Sequence, residues 1–251
     1  MHKKLIIGSL LLGMGYTAGL AAASLEELNQ RAAQGDAKAQ TDLGSRYAEG
    51  YGVARDYTQA EKWYKAAAAQ GNPVAEYNIG LLYAHGEGVP ANLHEAAHWF
   101  LKAAERGDVP AQFTLGLMYA EGAGLPRHYQ HAAKWFKLAA EQGHPLAQLN
   151  LGLMLLRGAG QERQPEQAAH WFRSAAEQGS APAQYHLALC FYQGEGVGKD
   201  LETAYLWFAL AAAQGEADAH SYLNQLETEL DTKQVAKAQA RAAEWQPAIQ
   251  Q

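Results

Sequence analysis

Residues 71–106 read GNPVAEYNIGLLYAHGEGVPANLHEAAHWFLKAAER, and this stretch decides the fold. Ala75, Ile79, Leu82 and Tyr83 stand at i, i+4, i+7 and i+8, the spacing of one helical face. Gly86 ends that helix, because glycine takes the left-handed conformation of a helix terminus without steric cost. Gly88 permits a tight loop, and Asn92 is a suitable N-cap for a second helix. In that second helix Ala96, Trp99, Phe100 and Ala103 form the buried face, and Gly107 closes it. The stretch is therefore a helix-turn-helix, here called helix A and helix B. Small residues at Ala75, Gly80, Ala96 and Ala103 let the helices approach, and the Trp99 ring is expected to fill the space between units.

The pattern recurs. Trp63, Trp99, Trp135, Trp171 and Trp207 are spaced by 36 residues. Gly35, Gly71, Gly107, Gly143, Gly179 and Gly215 keep the same step, and Gly-x-Gly loops recur in register from Gly50 to Gly196. Five units run 35–70, 71–106, 107–142, 143–178 and 179–214. Asp56, Asn92 and Asp200 are candidate N-caps of helix B, and Pro165 occupies the favoured first helical position in the fourth unit. No unit can bury its own apolar face alone, so stacking is obligatory. The expected fold is all-α: a right-handed superhelical solenoid of helix-turn-helix repeats with N- and C-terminal capping helices. Residues 24–34 are the expected N-terminal cap, opened by a capping box at Ser24–Glu27. Residues 215–251 are expected to be a degenerate repeat and a C-terminal capping helix, with a second box at Asp231–Gln234 and a stop at Pro247.

Residues 1–23 read as a secretory signal peptide. Lys3 and Lys4 precede an uncharged apolar run from Leu5 to Leu20, and Ala21-Ala22-Ala23 offers a cleavage site before Ser24. The apolar run is short for a spanning helix, which needs about 20 residues. The expectation is a periplasmic or secreted protein, held at a membrane only if the leader is uncleaved. With 26 acidic and 20 basic residues the net charge is −6, which argues against nucleic acid as the partner. A single cysteine excludes a disulfide framework.

The sequence resembles the Sel1-like repeat, a relative of the tetratricopeptide repeat. Gly71–Gly80 looks like that family's helix A, Gly86-Glu87-Gly88-Val89 like its loop, and Ala96–Ala104 like its helix B. The resemblance covers Gly35 to about Glu216, and Leu226 to Pro247 resembles an ending common after such repeats. It implies a non-catalytic adaptor or scaffold of the bacterial envelope or secreted fraction, with another protein or peptide as partner and a monomeric chain. A branch from Helicobacter linked to β-lactam binding carries a disulfide in each repeat, a poor match to a chain with Cys190 alone. The fourth unit departs from the pattern at Leu155-Leu156 and at Gln161-Glu162-Arg163.

His94-Glu95-Ala96-Ala97-His98 matches the H-E-x-x-H zinc-peptidase helix. The repeat explains the match: Ala96 and Ala97 are repeat residues, and lysine, threonine, glutamine or glutamate takes the histidine positions elsewhere. His94, His98, His128 and His131 on adjacent B helices offer at most adventitious metal binding. Cys190 falls where Leu82, Met118 and Met154 stand in other units and reads as a core residue. No catalytic residue, metal site or cofactor is assigned. A hydrolase of β-lactamase-like or metallopeptidase type, or a peptidoglycan-fragment binder, is the alternative function.

What remains is a surface. In related solenoids helix A lines the concave side, and its non-core positions form a stripe. The second unit contributes Asn78, Leu81 and His85 beside Val74. The third contributes Thr114, Leu117 and Glu121 beside Pro110. The fourth contributes Asn150, Leu153 and Arg157 beside Leu146. The fifth contributes His186 and Leu189 beside Pro182 and Gln193. Tyr77, Phe113 and Tyr185 border the stripe. Apolar anchors among amide hydrogen bonders suit an extended peptide or a partner helix. Equally, the leucines could serve inter-repeat packing and the asparagines helix-loop bonds.

Overall fold

A computed structural model describes residues 24–248; the leader expected over 1–23 lies outside the described residues. Among the described residues every regular element is a helix. The chain divides by packing into two units, whose described parts are 24–135 and 136–248, the division falling within one helix.

The first unit holds α1 Leu25–Ala33, α2 Ala37–Glu49, α3 Tyr57–Ala68, α4 Pro73–His85, α5 Leu93–Glu105 and α6 Val109–Glu121, and ends inside α7 Tyr129–Glu141. The second unit continues with α8 Pro145–Arg157, α9 Pro165–Glu177, α10 Ala181–Gln193, α11 Leu201–Ala213, α12 Ala217–Glu229 and α13 Thr232–Glu244.

The hairpin α4–α5 shows how the sequence makes each pair. Gly86 caps α4 at φ +72°, and its N–H donates to Leu82 O. Asn92 Oδ1 accepts from the N–H groups of His94 and Glu95 at 3.0 and 3.1 Å, satisfying donors that a helix start leaves free. Asn92 N then donates to Tyr83 O at 2.8 Å and ties the start of helix B to the end of helix A. The same nine-residue bond runs from Asp56 to Tyr47, from Gln164 to Leu155 and from Asp200 to Phe191. Further along the pair, Gly80 faces Phe100, and a β-carbon on Gly80 would lie 2.5 Å from that ring. Gly44 meets Tyr64 and Gly152 meets Phe172 in the same way. Contacts that converge on the loop from both helices define an antiparallel hairpin.

The core ring of helix B is thus the residue after each tryptophan. Phe100, Phe136, Phe172 and Phe208 are fully buried, whereas Trp63, Trp99 and Trp171 are only half-buried. Trp99 packs, as expected of a ring between units, on the cluster that includes Ala60, Tyr64 and Ala67 of the preceding repeat, but one residue is about 100° of helical rotation, and its indole is half-buried rather than part of the fully buried face. Lys102 Nζ stands 4.2 Å from the Trp99 ring centroid. The second loop glycine has a packing role across repeats. A β-carbon on Gly124 would collide with the Leu93 carbonyl, and one on Gly196 with that of Pro165.

A polar line also joins repeats. Gln40, Gln112, Gln148 and Gln184, near the start of helix A, each donate Nε2 to the carbonyl eight residues earlier, at 3.1–3.2 Å. Three of these amides accept, on Oε1, from a glutamine thirty residues later: Gln70, Gln178 and Gln214, each at 2.8 Å. The second repeat converts the pair to an ion pair, with Arg106 Nε donating to Glu76 Oε1 at 3.2 Å. Neither partner alone can change type without leaving a buried polar group unmatched.

At the N-terminal end Ser24 accepts from Glu27 N, and Leu28 and Ala32 of α1 pack on Ala39 and Leu43. At the other end Asp231 and Gln234 form the full reciprocal capping box of α13. Tyr222 of α12 stacks on Phe208 at 4.7 Å, Lys237 of α13 pairs with Glu202 at 2.7 Å, and Trp245 meets Trp207 edge-on. Beyond α13, Ala248 N donates to Glu177 O at 2.7 Å.

Two outcomes are expected. Gly80→Ala gains helix propensity but forces Phe100 to move, with a net loss of about 1–2 kcal/mol. Adding Phe100→Leu recovers much of that loss, which a double-mutant denaturation cycle reads out. The second concerns the N-caps of α6 and α8. Burial, reinforced by the Glu76 charge, pushes the Asp108 carboxyl up to about 6. Stability from this group is therefore full below the ordinary carboxylate range and lost as pH rises through about 6. Burial lowers His144, whose Nδ1 accepts from Ala147 N, so its stabilisation is present above the ordinary histidine value and lost as pH falls. Asp108→Asn keeps the cap and is expected to raise stability at pH near 7.5 by about 1–2 kcal/mol, with most of the gain gone near pH 4.5. His144→Asn is expected to help only on the acid side. Thermal unfolding across pH checks both, and pH-independent shifts would refute the assignment.

Candidate functional site

Helix A is buried on nearly every side, because each one packs on its own helix B and on the helix B before it. The candidate stripe therefore divides by depth. Leu81, Glu121, His186 and Leu189 are half-buried, and His85 and Arg157 are exposed. Tyr77, Asn78, Phe113, Thr114, Leu117, Asn150, Leu153 and Tyr185 are buried. Tyr77 packs against Phe100 at 5.3 Å, and Tyr185 against Phe208 at 5.7 Å, so these border residues belong to the hairpin core. His186 stacks on Phe172 with ring centroids 5.2 Å apart. Leu146, one turn before Asn150, is 41% exposed and is the most open apolar side chain of the stripe.

Three buried polar atoms of the candidate stripe have no protein partner: Asn150 Oδ1, Thr114 Oγ1 and Glu121 Oε1. Asn150 donates Nδ2 to Leu146 O at 2.8 Å, but its buried Oδ1 accepts nothing. Thr114 Oγ1, on α6 of the other unit, is likewise buried and unmatched. A buried acceptor without a bond costs about 1–3 kcal/mol, so such a position favours an incoming N–H or O–H. Burial raises the carboxyl of Glu121 and lowers the Arg157 guanidinium, both at helix A C-termini.

The histidines of the H-E-x-x-H match lie exposed on α5. His94 Nδ1 approaches Gly124 O at 3.4 Å, while His98 meets Trp99 edge-on. His128 and His131 stack on each other at 4.0 Å. Among the described residues no group of three or more His, Cys, Asp or Glu side chains is placed to hold a metal ion. Cys190 is buried and unpaired, and burial, reinforced by the Glu195 charge, pushes its thiol up to about 12. A thiol held neutral at that value is a packing group rather than a nucleophile. Among the described residues no helix is long and apolar enough to cross a membrane.

A second concavity escaped sequence reasoning. A cavity of about 630 Å³ opens in the 136–248 unit among Trp171, Ser174, Glu141, Glu177 and Ala248.

Comparison with known proteins gives the chain its place. The Sel1 repeat matches five times, at residues 37–72, 73–108, 109–144, 145–180 and 181–216. A Sel1 repeat protein from Oxalobacter formigenes superposes with a TM-score of 0.68 at 32% identity, over 87% of this chain and 89% of that one. A protective antigen of uropathogenic Escherichia coli with an SLR fold superposes at 0.57 and 29% identity, over 88% of this chain and 55% of the antigen. The secretory immunoglobulin A-binding protein EsiB of Escherichia coli is 40% identical over 68 residues, which is 26% of this chain and 14% of EsiB. The five matches span most of the sequence and coincide with the observed helix pairs: the chain belongs to the Sel1 repeat family.

Proposed function

We propose that this chain is an exported scaffold that binds a partner peptide or partner protein on the helix A face. Sel1 repeat proteins are protein-interaction scaffolds, and the fold is generally non-catalytic. The observation that carries the proposal is the orphaned Asn150 Oδ1, a buried acceptor on helix A one turn from exposed Leu146 and two turns from exposed Arg157. An extended peptide laid along α8 would supply the missing N–H, seat an apolar side chain against Leu146 and set a carboxylate near Arg157. Because the face is preformed, binding would cost little ordering of the scaffold.

In this proposal the leader is removed between Ala23 and Ser24, α1 serves as the N-terminal cap, and α12 and α13 close the C-terminal end. The mature chain would act as a monomer in the periplasm or outside the cell, with no cofactor. The likeness to an immunoglobulin A-binding protein and to a protective antigen supports that location. The chain spans about a seventh of EsiB, so the partner of that protein is not carried over.

The test is affinity capture from envelope and secreted fractions with protein starting at Ser24. The control combines Leu146→Glu, Arg157→Glu and Leu189→Glu, positions open enough to change without unfolding the pair, as circular dichroism would verify. Leu117 and Leu153 are unsuited, since a charge there would enter the core. The expected outcome is a partner retained by wild type, weakened about tenfold by the triple variant, and weakened several-fold by Asn150→Ala. Equal retention by all three would move the site off helix A. Peptidase and β-lactam turnover assays on the same protein, with and without zinc, are expected to read background, and turnover abolished by His94→Ala would overturn the scaffold reading.

A further inference from the structure

The repeats of this chain show what a tryptophan at the helix B position attracts. Lys62 Nζ stands 5.7 Å from the Trp63 ring centroid, Lys102 4.2 Å from Trp99 and Lys134 5.6 Å from Trp135. Trp207 meets Trp245 edge-on at 6.1 Å. Each ring of the first three repeats therefore has a lysine of its own, and that of the fifth has an aromatic neighbour.

Trp171 is different. The position of Lys102 is held here by Ser174, whose hydroxyl donates to His170 O at 3.1 Å. Arg173, the basic residue on the same helix, lies over Phe191 instead, 5.7 Å from its centroid. His170 meets the indole edge-on. Among the described residues no lysine or arginine stands over Trp171. Its indole instead lines the 630 Å³ cavity, with Glu141 and Glu177 on the wall. Both carboxylates are exposed; Glu141 makes only a 3.8 Å pair with exposed Lys137, a contact of little energetic weight. The main-chain carbonyl of Glu177 holds Ala248, so the segment after α13 forms another side of the cavity.

We propose that this cavity binds an organic cation, the ammonium or guanidinium group of a basic side chain on a peptide. An aromatic ring and two carboxylates recognise such a group through cation–π attraction and charge, with Ser174 as a further acceptor. The chain's net charge of −6 favours the approach of a basic peptide. The site lies on the helix B side and does not depend on the helix A proposal.

The experiment uses the full mature chain, labelled with nitrogen-15, and follows indole N–H resonances. That of Trp171 is assigned by its loss in Trp171→Phe. The probes are Nα-acetyl-lysine methylamide, the arginine equivalent, the neutral Nε-acetylated lysine compound, and an acetylated hexalysine peptide. A saturable shift of the Trp171 resonance with the charged probes and none with the neutral one is expected. By calorimetry with hexalysine, Glu141→Gln and Glu177→Gln are each expected to weaken binding by roughly two- to fivefold, and Trp171→Leu by more. Ser174→Lys supplies an internal ammonium in the manner of Lys102 and is expected to compete with the peptide and abolish binding in a folded protein. A neutral probe that shifts Trp171 equally, the absence of any shift, or undiminished binding to Ser174→Lys would each overturn the proposal.

Discussion

The absence of a β-carbon on helix A, opposite an aromatic ring on helix B, is the constraint on which the rest of the structure depends. Gly44, Gly80 and Gly152 bring the two backbones so close that Tyr64, Phe100 and Phe172 lie almost or wholly out of solvent. Burying such a ring is worth about 2–3 kcal/mol, and the contact recurs repeat by repeat. With the core slot taken by this ring, the adjacent tryptophan is turned to the flank. There it covers the seam, and in Trp63, Trp99 and Trp171 part of the indole stays open, which is why its neighbours matter chemically, whereas Trp135 and Trp207 are buried. Where the fifth repeat has Ala188 instead of glycine, the residue and its ring partner Phe208 are still fully buried, so this slot accommodates a methyl group.

Much of this was legible in the sequence. Helix boundaries followed from chemistry local to the chain: Gly86 in the left-handed region, Asn92 as a cap, Pro165 at a helix start. These depend on a few neighbouring residues and survive without knowledge of the partner helix. The choice between Trp99 and Phe100 as the buried ring was not legible, because both fall on the apolar face of a helix and differ by one step of rotation. The candidate stripe suffered similarly. Leu81, Leu117, Leu153 and Leu189 share one repeat position, yet two are buried and two half-buried. A helix that is apolar on most sides has no periodic signal separating its packed face from its open one. The thirty-residue glutamine pairs lay in plain view as a repeated residue type. Only the geometry reveals them as partners.

Where polar groups enter this interior, the same slot takes different chemistry in successive repeats. The helix A N-cap is Asp36, Asn72, Asp108, His144 or Ser180, each on the same framework. A half-buried cap such as Asp36 can pair with Arg31 and is held below the usual carboxylate range by its Ala39 N–H bond and that partner. A buried one beside Glu76 moves in the opposite direction. Identical backbone roles thus carry opposite responses to proton concentration, depending on what the neighbouring repeat places nearby.

The division of labour in the polar line bears on how such a chain can lengthen. The side-chain-to-side-chain half of each junction, Gln148 with Gln178 or Glu76 with Arg106, lies wholly inside one repeat. The half that crosses to the preceding repeat, Gln148 to Ala140, asks only for a backbone carbonyl, which any helix provides. A segment of one period copied by unequal recombination would therefore carry its matched side chains with it and find an acceptor in whatever repeat it landed beside. Even the charged variant could travel as a block. A copy that is not a whole number of periods would separate partners at its junction, so the hydrogen bonding itself acts as a reading frame for duplication.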